Sequence, residues 1–273
     1  MFLYTEGRKG WGRMTRTDDQ ETAAAWDDFA PEYYAMQQAD PLPLAQRMGD
    51  WLQAEKILPA GRVLDLGSGA GRFAPMLARG AMHLTLMDIS SQMLAYAQKE
   101  LARAGQTAET ISAPWSTFAH QSGVYDVIFS HMATFLTPAD LSIIGALLAP
   151  GGIFVYSRVT GRTDSIFDQV LAAFPPLRQH YVDESRTPIS LWQEKSRQAQ
   201  WTQRQTLLTF HYTEPIDRDY LAEEIPPLLA ASDQAAFGQL LKRLFGGQET
   251  ITTTKSLAVT VLALTAPAGH RRS

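Results

Sequence analysis

The sequence predicts an α/β fold on an open, mostly parallel sheet, and three observations carry that reading. Short apolar runs at 63–66, 83–87, 124–130 and 153–157 alternate with segments of helical periodicity. Alternation at this spacing is what right-handed crossovers between parallel strands require. The first run, Val63-Leu64-Asp65-Leu66, leads straight into a glycine-rich turn and then a helix, the strand–turn–helix arrangement of a ligand site at the carboxyl edge of a sheet. The length of 273 residues suits one large domain with a full core.

The elements follow in order. From Thr22, the residues Trp26, Phe29, Tyr33 and Met36 recur at spacings of three and four, a helix that Pro31 is expected to interrupt or restart. A second helix is expected over 43–57, ended by Pro59-Ala60-Gly61. After the first strand a helix spans 72–79, with Pro75 tolerated in its first turn. The second strand ends at Asp88, and Ser90 is the N-cap of a helix carrying Met93, Leu94, Ala97 and Leu101 on one face, stopped by Gly105. A weak strand at 109–112 and a strong one at 124–130 come next. Thr137-Pro138-Ala139-Asp140 then opens a helix over 141–148, and a fifth strand covers 153–157. Beyond it the alternation weakens. Helix is expected at 164–174, a polar lid with Tyr181, Trp192 and Trp201 at 177–203, strands at 206–212 and 257–264, and helices at 217–230 and 233–245. The acidic residues of 217–224 read as a solvated helical face.

The domain reading is a flexible segment over 1–21, with Met14 as the expected start, then a single domain over 22–273. Within it lie a helical cap (22–60), a cofactor-binding core (61–158), an elaboration for substrate (159–255), and a last strand and tail (256–273). Composition excludes several functions. Without cysteine there is no disulfide scaffold, thiolate metal site or cysteine nucleophile. A net charge of −4 disfavours a nucleic-acid partner, since phosphate binding is driven by basic surface. Apolar stretches are too short to span a bilayer and no leader is read, so a cytoplasmic location is expected. The six histidines, at 83, 120, 131, 180, 211 and 270, include no pair at metal-ligand spacing, so no metal is expected. Neither a nucleophile elbow nor a phosphate-loop lysine occurs.

The chemistry sits in Asp65-Leu66-Gly67-Ser68-Gly69-Ala70-Gly71. Its glycines permit a tight turn and close backbone approach to a ligand. The dinucleotide fingerprint needs a glycine where Arg72 stands, and Asp65 would repel a pyrophosphate, so a cationic ligand is favoured over a nicotinamide dinucleotide. Asp88, 21 residues after Gly67, stands where a ribose diol is bound.

VLDLGSGAGR at 63–72, MDISSQML at 87–94, YDVIFS at 125–130 and LLAPGGIFVYS at 147–157 together resemble the class I S-adenosylmethionine-dependent methyltransferases of the ubiquinone and menaquinone type, over roughly residues 22–158. The resemblance implies a doubly wound, Rossmann-like sheet with an antiparallel C-terminal strand and a helical insertion. S-adenosylmethionine is the implied cofactor and a small molecule the methyl acceptor. By that likeness Gly67, Ser68, Gly69 and Gly71 line the methionine moiety, with Asp65 facing its amino-acid end. Asp88 holds the ribose, and Ile89 and Met93 pack on the adenine. Ala113-Pro114-Trp115 replaces the acid that often meets the adenine amino group, leaving backbone or Trp115 for that role. Ser130 lies beside the site, and Tyr33 is implied to fold over the cofactor. His131, after the fourth strand, is the candidate base or cofactor-shell residue. Tyr34, Arg158 and Trp192 are weaker candidates for the acceptor pocket. The competing functions are a nicotinamide-dependent oxidoreductase and a non-catalytic cofactor-binding subunit.

Overall fold

The computed structural model describes residues 19–119, 125–181 and 188–267, with side chains from Thr22 onward and none for Tyr181. Residues 1–18 of the expected flexible N-terminus, Met14 among them, lie outside the described residues with His120 and His270, while residues 19–21, expected to be flexible, belong to α1. The helical cap is α1 (Asp19–Ala39) and α2 (Leu44–Ala54). Then follow β1 (Ala60–Leu66), α3 (Ala74–Gly80), β2 (Ala81–Asp88), α4 (Ser91–Arg103), β3 (Glu109–Ser112), α5 (Trp115–Phe118), β4 (Tyr125–His131), α6 (Leu141–Leu147) and β5 (Leu148–Asp164). The remainder is α7 (Phe167–Ala173), α8 (Arg178–Tyr181), α9 (Ile189–Gln198), β6 (Thr202–Asp217), α10 (Arg218–Glu224), α11 (Gln234–Phe245) and β7 (Thr250–Thr265).

The seven strands form one sheet in the order β3-β2-β1-β4-β5-β7-β6. β1 to β5 pair in parallel, and β7 runs antiparallel to both β5 and β6. The order reverses between β1 and β4, so the carboxyl ends of those strands open onto a crevice. Each face of the sheet carries its own apolar core. One joins Met48, Leu52, Leu77 and Leu86 to Phe129 and Val261; the other joins Leu64, Ile128, Phe154 and Leu262 to Ile144 and Trp192.

Local signals were right where a cap or a buried run is involved. The Ser90 hydroxyl accepts the Met93 amide at 3.0 Å, and Gly105 takes the left-handed conformation that ends α4. Asp140 closes the Thr137 capping box at 2.7 Å through the Thr137 amide, although the first turn is a 3-10 helix.

Three expectations need correction. Pro31 does not break α1, which runs through it. The helix is held from outside by contacts to α4, and tertiary anchoring overrides the local cost of a missing donor. Strands β5, β6 and β7 are far longer than the apolar runs at 153–157, 206–212 and 257–264. Past Val159 they leave the apolar layers and pair only with one another, from Arg162↔Leu257 and Asp164↔Lys255 on one side to Asp217↔Thr250 on the other. A bulge between Val159 and Gly161 turns this three-stranded arm. The helices α7, α10 and α11 close a third core on it around Phe167, Leu221, Phe237 and Leu241.

The third correction concerns the polar stretch 177–203, which is not a lid hung on its aromatics. Trp192 of α9 is fully buried and stacks on Tyr156 at 4.4 Å, and Trp201 is buried in the same core. Helical polarity outside and a single aromatic anchor inside hid the packing from a periodicity reading. Trp192→Ala is therefore expected to cost about 3–5 kcal/mol in urea denaturation, whereas Leu207→Ala, exposed on β6, changes stability by less than about 0.5 kcal/mol.

Candidate functional site

The site is built at the ends of β1 and β2. After Leu66 the chain turns through Gly67, Gly69 and Gly71, all left-handed at φ +76, +52 and +79. Gly71 is required by packing as well as by its backbone, since a Cβ there would lie 2.5 Å from Ala97 Cα on α4. A Cβ on Gly67 would lie 3.1 Å from Phe135, and one on Gly69 would lie 3.8 Å from Tyr33. The loop thus runs between two aromatic walls, Phe135 with Trp115 on one side (centroids 6.4 Å apart) and Tyr33 of α1 on the other.

The loop's amides are consumed internally. Gly67 and Ser68 donate to the Met87 carbonyl at 2.8 and 3.0 Å, Gly69 donates to Asp88 Oδ2 at 2.8 Å, and Gly71 donates to Ser68 O at 3.1 Å. A pyrophosphate is held by just such outward-pointing amides, and these are turned away from any ligand. What remains beside the loop is acceptor chemistry. Asp65 Oδ2 and Ser68 Oγ are buried without a hydrogen-bond partner. Burial, and then the neighbouring Asp88 carboxylate, push the Asp65 carboxyl up to about 8.

Asp88 binds Gly69 through Oδ2 and the Ser90 amide at 3.0 Å through Oδ1. Burial raises its pKa, with these amide hydrogen bonds opposing. A carboxylate has about four acceptor sites, so these amides leave it some capacity for a further donor. Ile89 is half-buried beyond it. Ala113 donates its amide to the Asp88 carbonyl at 3.0 Å, Pro114 caps α5, and the Trp115 indole donates to Asp140 at 3.0 Å. Residues 113–115 therefore border the Asp88 end of the crevice. Met93 does not face it openly. It is buried beneath α1 with Ala30, Tyr34 and Ala70.

Ser130 and His131 end β4. The Ser130 hydroxyl is committed to the Leu66 carbonyl at 2.8 Å, joining β4 to β1. His131 lies edge-on to Phe73 at 4.9 Å, with Nδ1 2.9 Å from Ser157 Oγ. Burial, then the Arg72 guanidinium, lower its pKa to about 3, so the imidazole is neutral at physiological pH. The weaker pocket candidates are drawn elsewhere. The Tyr34 hydroxyl donates to Glu100 at 2.5 Å and accepts from Arg103 at 2.6 Å, clamping α1 to α4. Trp192 is core, and Arg158 is buried in β5.

Some participants had no sequence signal. Asp27 accepts the Ser90 hydroxyl at 2.6 Å and the Gln92 amide at 3.0 Å. Gln37 donates to the Ala70 carbonyl at 3.3 Å, and Arg72 pairs with Asp40 at 2.6 Å. All act across more than 30 residues of sequence. Phe135 was findable as the aromatic just past the strand end.

Residues 63–152 match the methyltransferase domain family. Over those residues the chain is similar to a methyltransferase domain, and the order of its sheet agrees with that likeness. It is 29% identical over 157 residues to a ubiquinone biosynthesis O-methyltransferase of Aromatoleum aromaticum, covering 56% of this chain and 65%, just under two thirds, of that protein. The Paraburkholderia xenovorans protein of the same name is 28% identical over 171 residues, covering 59% and 71%. In fold the chain resembles the magnesium protoporphyrin IX methyltransferase of Synechocystis, whose crystal structure holds SAH (TM-score 0.54, 14% identity, 92% of this chain and 100% of that one). A methyltransferase structure from Bacillus halodurans gives TM-score 0.52 at 15% identity, over 80% and 98%. The described helices include none long and apolar enough to cross a membrane.

The buried acid gives a stability test. Asp65, with its folded pKa raised from 3.8 to about 8, holds a proton that the unfolded chain has lost, so its contribution to stability falls as pH rises through that window. Asp65→Asn removes the penalty. Thermal melts without ligand are expected to place this variant above the parent at pH 8, with the gap narrowing by pH 5. A gap that does not depend on pH would contradict the buried, protonated acid.

Proposed function

We propose that this chain binds S-adenosylmethionine in the crevice at the ends of β1, β2 and β4 and methylates a hydroxyl group of a small-molecule acceptor. One observation carries the reading: the crevice offers its ligand unpartnered buried acceptors, Asp65 Oδ2 and Ser68 Oγ, while the amides of Gly67, Ser68, Gly69 and Gly71 are already spent. Such acceptors fit the ammonium of an amino-acid end and not a pyrophosphate, which leaves the nicotinamide oxidoreductase without support. The hydroxyl is supported by the O-methyltransferase names of the curated relatives.

The residues divide the work. Asp65 and Ser68 meet the amino-acid end beside Gly67, Gly69 and Gly71, and Asp88 takes the ribose hydroxyls with its remaining acceptor sites. Ile89 and residues 113–115 border the adenine, while Tyr33 covers the loop from α1 and Met93 packs beneath that helix. The bound cofactor supplies an electrophilic methyl on a sulfonium. The protein's main contribution is alignment with exclusion of water, which in such displacements is worth on the order of 7–11 kcal/mol. The acceptor oxygen loses its proton only as the new bond to carbon forms. His131 Nε2 takes that proton and, with a pKa held near 3, passes it readily to water.

Calorimetry tests the cofactor reading. S-adenosylhomocysteine is expected to bind and NAD to give no heat, and the opposite pattern overturns the proposal. Asp88→Ala is expected to weaken S-adenosylhomocysteine by about tenfold or more, because charge-assisted hydrogen bonds of about 1.5–3 kcal/mol each are lost. Unchanged affinity would remove Asp88 from the site.

A further inference from the structure

The junction of β4 and β5 holds a side chain that the proposed chemistry has not used. Ser157 faces His131 across the parallel pairing, and it is fully buried. Its Oγ lies 2.9 Å from His131 Nδ1 and 3.5 Å from the Ser130 carbonyl. The serine itself is fixed from both sides. The Met132 amide donates to the Ser157 carbonyl at 2.9 Å, and the next free amide of the β5 edge, Val159, donates to Met132 Sδ at 3.3 Å. Met132 makes both contacts with a left-handed backbone, φ +57, that non-glycine residues avoid. Backbone strain kept at a strand end next to a crevice marks a position where geometry is worth its cost.

We propose that Ser157 is a positioning residue for the methyl transfer, holding His131 as the Nδ1–H tautomer so that Nε2 keeps its lone pair for the proton of the acceptor. The inference rests on the function proposed above and specifies how one of its residues is set. A hydroxyl has one hydrogen, and here two acceptors compete for it. When Nδ1 carries the imidazole proton, the ring donates to Oγ, the Oγ–H turns to the Ser130 carbonyl, and both contacts are hydrogen bonds. When Nε2 carries it, the serine hydrogen goes to Nδ1, the Ser130 contact is lost, and the ring can take no proton at Nε2. Among the described residues Nε2 has no hydrogen-bond partner, so Nδ1 is the nitrogen through which the protein selects the tautomer. The imidazole stays neutral at working pH because burial and Arg72 hold its pKa near 3, so selection of the tautomer alone decides whether Nε2 accepts or donates.

The test is nitrogen NMR of the histidine rings in the full chain, with His131 assigned by its absence from the spectrum of His131→Gln. The parent protein is expected to show a lone-pair nitrogen at Nε2 and a protonated Nδ1. Ser157→Ala should shift the tautomer ratio about three- to tenfold toward Nε2–H, the range expected for one ordinary hydrogen bond, and Ser157→Thr, which keeps the hydroxyl, should restore it. Should Ser157→Ala fail to fold, Ser157→Cys carries the same comparison. A protonated Nε2 in the parent overturns the proposal, and so does a Ser157→Ala ring with an unmoved ratio, which is what a merely structural serine would give. Ser157→Ala is expected to keep the parent's affinity for S-adenosylhomocysteine. Absence of that binding in the parent itself would overturn the proposed function while leaving the tautomer result standing.

Discussion

The Asp88 carboxylate ties four elements together at one point. It accepts the amide of Gly69 and the amide of Ser90, so the left-handed loop after β1 and the start of α4 are both referred to the end of β2. Ser90 extends the chain of contacts: its hydroxyl caps the Met93 amide and donates to Asp27, which brings α1 down onto the same corner. Hydrogen bonds to a charged acceptor are the stronger kind. Here they fix a backbone that glycine alone would leave loose. The crevice is therefore shaped before any ligand arrives, and its shape depends on the acid to which the proposed function gives the ribose.

Placing Asp65 beside Asp88 has the opposite sign. Two carboxyls in one buried corner repel, and the structure answers by holding a proton on Asp65 rather than by supplying a partner. A cation relieves both the missing hydrogen bond and the repulsion. Under the proposed function, the stability given up without ligand becomes selectivity for a positively charged one. Spent amides at Gly67, Ser68 and Gly69 work in the same direction, because they withdraw the donors an anion needs.

The arm of β5, β7 and β6 follows other rules. Its inner surface carries Asp164, Glu214 and Lys255, with Lys255 almost wholly buried between the two acids. Asp164 also accepts Thr253 Oγ1 at 2.6 Å and the amides of Ile166 and Phe167 at 3.0 Å, so it starts α7 while pairing with β7. Desolvation opposes its ionisation, and these hydrogen bonds with the Lys255 charge outweigh it, leaving the pKa lowered. A buried pair of this kind orients elements more than it stabilises them. It sets the direction of the arm and, with it, the place of the helices that close the third core.

The sequence by itself determined the parallel α/β sheet, the glycine turn after β1, the acids ending β1 and β2 and the caps of α4 and α6, because each is written in neighbouring residues: a buried run, a left-handed glycine, a side chain reaching an amide three positions on. Only the tertiary structure decided the rest. The strands of the arm show no apolar alternation, being stabilised by ladder partners far along the chain, and α1 passes through Pro31 because α4 holds it. Trp192 became core and Tyr34 a clamp through contacts 36 and 66 residues away, at Tyr156 and Glu100. Whether an amide faces a ligand or a neighbouring carbonyl, and which nitrogen of His131 meets a serine, depends on where two strands end relative to each other. Local sequence carries no record of that distance.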